Sequence, residues 1–174
     1  MIKQRLCALI LFAGQIIAFS AYADVTVHYE HPENYHDLAL SGSDTPSMQA
    51  EVMKQSEAHL KKLGESDLPK GDKLEVVVLD IDMAGAYEPW RTPNLTRTRF
   101  IRDIYRPKFV LHYRWLDKDG AVKAEKDETV SDLNYLMRLE TRKYQDNDPL
   151  RYEKTLLDRW FKETFSGAGK SKPQ

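Results

Sequence analysis

Cysteine is all but missing from this chain of 174 residues: Cys7 is the only one, and it stands at the very start of the first apolar run, whereas a lipidated cysteine would follow it. Disulfides and cysteine-ligated zinc are excluded, so a fold in an oxidising compartment must be held by its core. Long apolar runs are scarce as well. The one at residues 6–19, broken only by Gly14 and Gln15, is shorter than the roughly 20 residues that span a bilayer. Also missing are the Gly-x-Ser-x-Gly elbow, a glycine-rich phosphate loop with its Lys, and a His-Glu-x-x-His pair. No cofactor is expected, although a Ser-His-Asp site stays open because its members need not be neighbours in sequence. Finally, there is no excess of positive charge. The 26 Lys and Arg face 27 Asp and Glu, so nothing recruits nucleic acid electrostatically.

What is present begins with an export signature. Lys3 and Arg5 precede the apolar run, and Ala21 and Ala23 flank Tyr22 just before Asp24, the order of cationic start, apolar core and small cleavage-site residues found in signal peptides. Residues 1–23 are therefore expected to be a signal peptide. Cleavage would leave a cysteine-free chain with no membrane-spanning segment. It would carry 24 basic residues against 27 acidic ones, in the periplasm, with residues 24–165 forming one domain and 166–174 a disordered tail.

Residues 25–30 alternate apolar and polar positions and predict a strand with Val25, Val27 and Tyr29 inward; residues 31–47, rich in Pro, Asn, Asp, Ser and Gly, predict a loop. Thr45 as cap and Pro46 in the first turn open a helix carrying Met48, Val52, Leu60 and Leu63, with Gly64 as its stop. Residues 74–81 are nearly continuous apolar, with three consecutive valines, and predict a central strand covered on both faces. An irregular segment, 83–99, follows, and residues 100–105 form a short strand or turn. Phe109, Leu111, Tyr113 and Trp115 alternate as a strand, residues 117–120 make a hairpin turn, and the charged stretch 121–130 suits an edge strand. Beyond an undefined stretch, 131–147, Asp148 and Pro149 open a last helix whose stripes are Tyr152, Leu156, Trp160 and Leu157, Phe161, Phe165. The order gives a single α+β domain, a mostly antiparallel sheet of about four strands with both helices on one face.

The segments VTVHYEHPENYHD (25–37), LEVVVLDIDMAG (74–85), IRDIYRPKFVLHY (101–113) and LRYEKTLLDRWFKETF (150–165) resemble the bacterial family called domain of unknown function 3016. Residues 80–85 are the most specific part. The resemblance implies an exported protein of Gram-negative bacteria and carries no activity with it.

Asp80 and Asp82, two apart on a strand, project to one face ahead of Glu88, an arrangement that hard cations such as calcium or magnesium would accept. His31, His36 and Asp37 crowd one loop with chemistry suited to zinc, while His28, His59 and His112 receive no role. Tyr87, Trp90, Arg91, Arg97, Arg99 and Arg102 give the segment after the central strand the aromatic and guanidinium content of a binding surface for an envelope protein or an anionic ligand. The competing reading has Trp90 closing the core and the arginines pairing with Glu88 and Asp103. The leading expectation is a non-catalytic periplasmic binding or interaction module; the alternative is a metal-dependent hydrolase built on Asp80 and Asp82. Export makes a direct prediction: mass spectrometry of the native product should find a chain that starts at Asp24, and a cytosolic product that retains Met1 would refute it.

Overall fold

The computed structural model describes residues 22–40, 45–91 and 93–166. All but the last two residues of the expected signal peptide lie outside them, as does the expected tail from residue 167 onward. In chain order the main elements are β1 (Asp24–Tyr29), α1 (Pro46–Asp67), β2 (Lys73–Asp82), β3 (Ala86–Tyr87), β4 (Arg99–Phe100), β5 (Lys108–Leu116), β6 (Val122–Ser131) and α2 (Arg151–Phe165). Four strands form a sheet in the order β1-β2-β5-β6. β1 lies parallel to β2, and the β2/β5 and β5/β6 pairs are antiparallel. The result is the expected single α+β domain, with β2 inside the sheet.

One face of that sheet carries the core. Leu74, Val76 and Val78 from β2 and Phe109, Leu111, Tyr113 and Trp115 from β5 are buried with Val52 and Leu60 of α1 and Leu156, Leu157, Trp160, Phe161 and Phe165 of α2 in one cluster. Aromatic rings meet edge-on within it: Phe165 lies 5.3 Å from Tyr113, 5.4 Å from Trp115 and 5.4 Å from Trp160, the geometry that the ring quadrupole favours. Where an indole reaches the margin its N–H is satisfied. Trp115 donates to Asp72 at 2.8 Å and Trp160 to Glu128 at 3.0 Å.

The expectation that β2 is covered on both faces is corrected. Glu75 and Leu79 are exposed and Val77 only half-buried, because both helices pack on the same side and none of the described elements is layered on the other. A bulge between Val78 and Asp80 also splits the strand, so that the buried positions run 74, 76, 78 and then 81 and 83. At the far edge, β6 exposes nearly all its charged side chains, and only Val130 is buried, as an edge strand requires. The hairpin before it is closed by Asp117, whose Oδ1 accepts the amides of Asp119 and Ala121, both at 2.9 Å, and by Gly120 at φ 85°.

Two helix boundaries also differ from the sequence reading. α2 starts at Arg151 rather than at Pro149; Asp148 instead accepts the amide of Leu150 at 2.9 Å and pairs with Lys154 at 2.7 Å, closing the turn that precedes the helix. α1 runs through Gly64 to Asp67, and Thr45 makes no side-chain cap bond. Gly64 is buried among Val52, Ser56 and Leu60 on the face toward the sheet, where an added Cβ would overlap Cγ2 of Val25. The glycine is there for close helix–strand approach, not for termination. Gly64→Ala should lower the unfolding free energy by about 1–3 kcal/mol through overpacking, and by clearly less in a Val25→Ala background; urea denaturation of the single and double variants would measure the coupling.

Candidate functional site

The chain leaves β2 at Asp82 and turns at Gly85, whose φ is 81° and whose missing Cβ would sit 2.7 Å from the Phe100 carbonyl. Only glycine fits there. This turn lets β3 pair with β4, so the segment 83–99 holds a short ribbon that its irregular composition did not reveal. The ribbon is bound to the sheet by Arg99. Its Nε donates to Ala84 O at 2.7 Å, its Nη1 to Ala39 O at 3.0 Å, and its Nη2 to Met83 O at 3.0 Å and Gly85 O at 2.9 Å. Nη2 also meets Oδ2 of Asp37 at 2.6 Å, and the guanidinium stacks 5.3 Å from the centre of the Tyr87 ring. Arg99, proposed from sequence as a ligand contact, thus spends its donors inside the protein.

Between the loop after β1 and this ribbon opens a cleft of about 580 Å³, lined by His36, Asp37, Asp82, Tyr87, Tyr105 and Lys108 among others. It gathers residues from all three constellations picked out in the sequence. Asp37 runs beside Asp82 through a parallel bridge, its amide donating to Ile81 O at 3.0 Å, which seats the His36–Asp37 pair at the end of β2. Asp80 accepts the His36 amide at 2.8 Å and pairs with Lys108 at 3.0 Å. Burial alone would raise its carboxyl, but these two groups outweigh it and hold the carboxyl below its usual value. Asp82 is pushed upward, chiefly by burial. His31 lies apart, with an exposed ion pair to Glu33 at 3.2 Å. Among the described residues, no group of three or more His, Cys, Asp and Glu is arranged to hold a metal ion.

Trp90 does not close the core: it is 73 % exposed. The residue before the preceding proline explains how its loop is held. Glu88 is buried and lies 3.0 Å from Nε of Arg91 and 3.1 Å from Nη2 of Arg102, and it accepts the Tyr105 hydroxyl at 3.1 Å. Both guanidinium groups lie over the Phe100 ring, at 5.5 and 5.6 Å. The pairing of these arginines with Glu88 matches the structural alternative, while Asp103 instead accepts the amide of Ile104 at 3.0 Å. Tyr87 donates to Ala39 O at 3.3 Å with its ring on the cleft wall.

Two clusters escaped the sequence reading. His59 on α1 meets Asp158 on α2 at 2.9 Å, and Tyr144 donates to the other oxygen of Asp158 at 2.7 Å. Lys143 pairs with the same carboxylate. A spacing of 99 residues between His59 and Asp158 leaves no local signal. The second is Glu153, whose charge on the buried stripe of α2 was the only available clue. It accepts the Ala84 amide at 2.7 Å, beside the Arg99 clamp, and its other oxygen has no hydrogen-bond partner among the described residues.

Burial pushes the Glu153 carboxyl from 4.5 up to about 7, against the opposing pull of the Ala84 amide and Arg99. A folded-state value above the unfolded one means that stability is full below 4.5 and is lost as pH rises through about 7. In urea titrations at successive pH values, the unfolding free energy of the wild type relative to Glu153→Gln should therefore fall across that window and level off above it. A constant difference would contradict the assignment.

No curated protein matches this chain. A family described as protein of unknown function (DUF3016) matches residues 23–163, which takes in the whole sheet, both cleft walls and all but the last two residues of α2. The resemblance read from the strand and helix segments is thereby established, and the chain belongs to that family.

Proposed function

We propose that this protein is a periplasmic, non-catalytic binding module that grips a partner in the cell envelope with the loop after its central strand, using Trp90 as anchor. The observation that carries the reading is the contrast among the three tryptophans: Trp115 and Trp160 are buried, and Trp90 is held out at 73 % exposure on a base fixed by Glu88, Arg91 and Arg102. A braced, solvent-facing indole beside an arginine is the composition of an interface anchor, because it can bury a large area at little cost in chain entropy. The periplasmic placement rests on the export signature at residues 1–23.

Replacing Trp90 with Ala should leave stability within about 0.5 kcal/mol, since the side chain supports no core contact. The same change should weaken capture of an envelope partner by about 2 kcal/mol, roughly thirtyfold. In-cell cross-linking with and without Trp90→Ala, alongside thermal melts, checks both. A variant that unfolds, or one that captures its partner undiminished, would defeat the proposal.

A further inference from the structure

The charge of this protein is unevenly placed. Residues 88–108 hold six Lys and Arg against two Asp and Glu, whereas the remaining residues from 24 onward hold 18 against 25. The same region meets an apolar ridge. Leu133, Leu136, Met137 and Leu139 are all exposed, at 66, 42, 80 and 67 %, so four of seven consecutive residues present large hydrophobic side chains to solvent. Ile104 is 68 % exposed as well.

The ridge and the Trp90 loop are joined rigidly through Arg102. Its side chain pairs with Glu88 under Trp90, and its carbonyl accepts the hydroxyl of buried Tyr135 at 2.5 Å. Tyr135 in turn packs edge-on against Tyr152 at 5.0 Å. Arg138 is pinned to Asp132 at 2.7 Å, so the segment between Asp132 and Arg138 is tied at both ends. Ile101 and Leu136 border neighbouring grooves that share Asp146, Arg151 and Tyr152, which places both apolar side chains at this end of the domain. Among the described residues Arg97, Arg106 and Arg142 have no ion-pair partner; Arg106 borders the cleft that Ile104 lines, and Arg142 borders a different groove, the one that Leu136 lines.

We infer that this end of the domain docks on an anionic phospholipid surface, the exposed apolar side chains entering the headgroup–acyl boundary and the separated arginines meeting phosphates. The inference rests on the reading of the Trp90 loop as a binding surface and names the chemistry of its partner. A patch of this apolar content on a monomer marks an interaction site. Exposed apolar side chains with unpaired cations beside them in separate grooves match a continuous sheet of phosphate better than a protein pocket, which would gather its charge around one point. The docking is peripheral: no helix among the described residues is long and apolar enough to cross a membrane.

The test is co-sedimentation of the full exported protein with vesicles of phosphatidylglycerol and phosphatidylcholine, against vesicles of phosphatidylcholine alone, with Trp90 emission followed in parallel. Binding to the anionic vesicles at least tenfold above the neutral ones is expected, with a blue shift in emission that is absent from Trp90→Phe. The combination Met137→Glu with Leu139→Glu should abolish binding, and Arg106→Glu with Arg142→Glu should weaken it tenfold or more while circular dichroism stays native. Absence of vesicle binding, or binding that survives both pairs of substitutions, overturns the lipid assignment. If cross-linking then still recovers a protein partner dependent on Trp90, the binding-module reading stands without the lipid; if Trp90 is dispensable there as well, both fall.

Discussion

The architecture around the cleft depends on one guanidinium group. Arg99 arrives on a two-residue strand and gathers the carbonyls of Ala39, Met83, Ala84 and Gly85 together with the carboxylate of Asp37. Those acceptors belong to two separate stretches, the loop after β1 and the exit from β2, and neither has sheet partners for the carbonyls concerned. A buried carbonyl without a donor is costly, and a planar fork with several N–H groups can satisfy several at once where an ammonium cannot. The Trp90 loop springs from the ribbon that this clamp holds down, so its exposed side chain is presented from a fixed base.

A similar logic recurs wherever the chain lacks regular structure. Single acidic side chains serve as shared anchors for two or more partners: Asp132 for Arg138 and Arg159, Asp72 for Trp115 and Lys123, Asp158 for His59, Tyr144 and Lys143, Glu88 for Arg91 and Arg102. Each ties segments that are distant in sequence. Small domains often use disulfides for that purpose; here, with no cysteine after residue 7, ion pairs and charge-assisted hydrogen bonds take the role.

Much of the fold was legible because its signals are local. The alternation of Phe109, Leu111, Tyr113 and Trp115, the charged edge strand and the broad apolar face of α2 each follow from side-chain periodicity over a few residues. What escaped notice was set by contacts between distant residues. Gly64 looks like a helix terminator until Val25 is seen against it, and three valines in a row look like a doubly covered strand until both helices are found on one side. The site was legible only residue by residue: Asp80 and Asp82, His36, and Tyr87 were picked out in separate groups, and the fold brings them together at the end of β2, while Trp90 faces solvent. The roles of Arg99 and Glu88 as internal braces, and those of His59 and Glu153, depend on partners that no spacing rule connects to them.

The bulge at Leu79 has a consequence for how the strand is read by its surroundings. A β-strand allocates residues to its two sides by odd and even position, and one extra residue swaps the allocation. Upstream, even-numbered Leu74, Val76 and Val78 face inward; downstream, odd-numbered Ile81 and Met83 do. Without that single insertion, the aspartates at 80 and 82 would point into the hydrocarbon interior while Ile81 and Met83 faced water. Leu79 therefore acts as a frame shift in the geometric code of the strand, and it is this shift that turns one continuous peptide from structural beam into cleft wall.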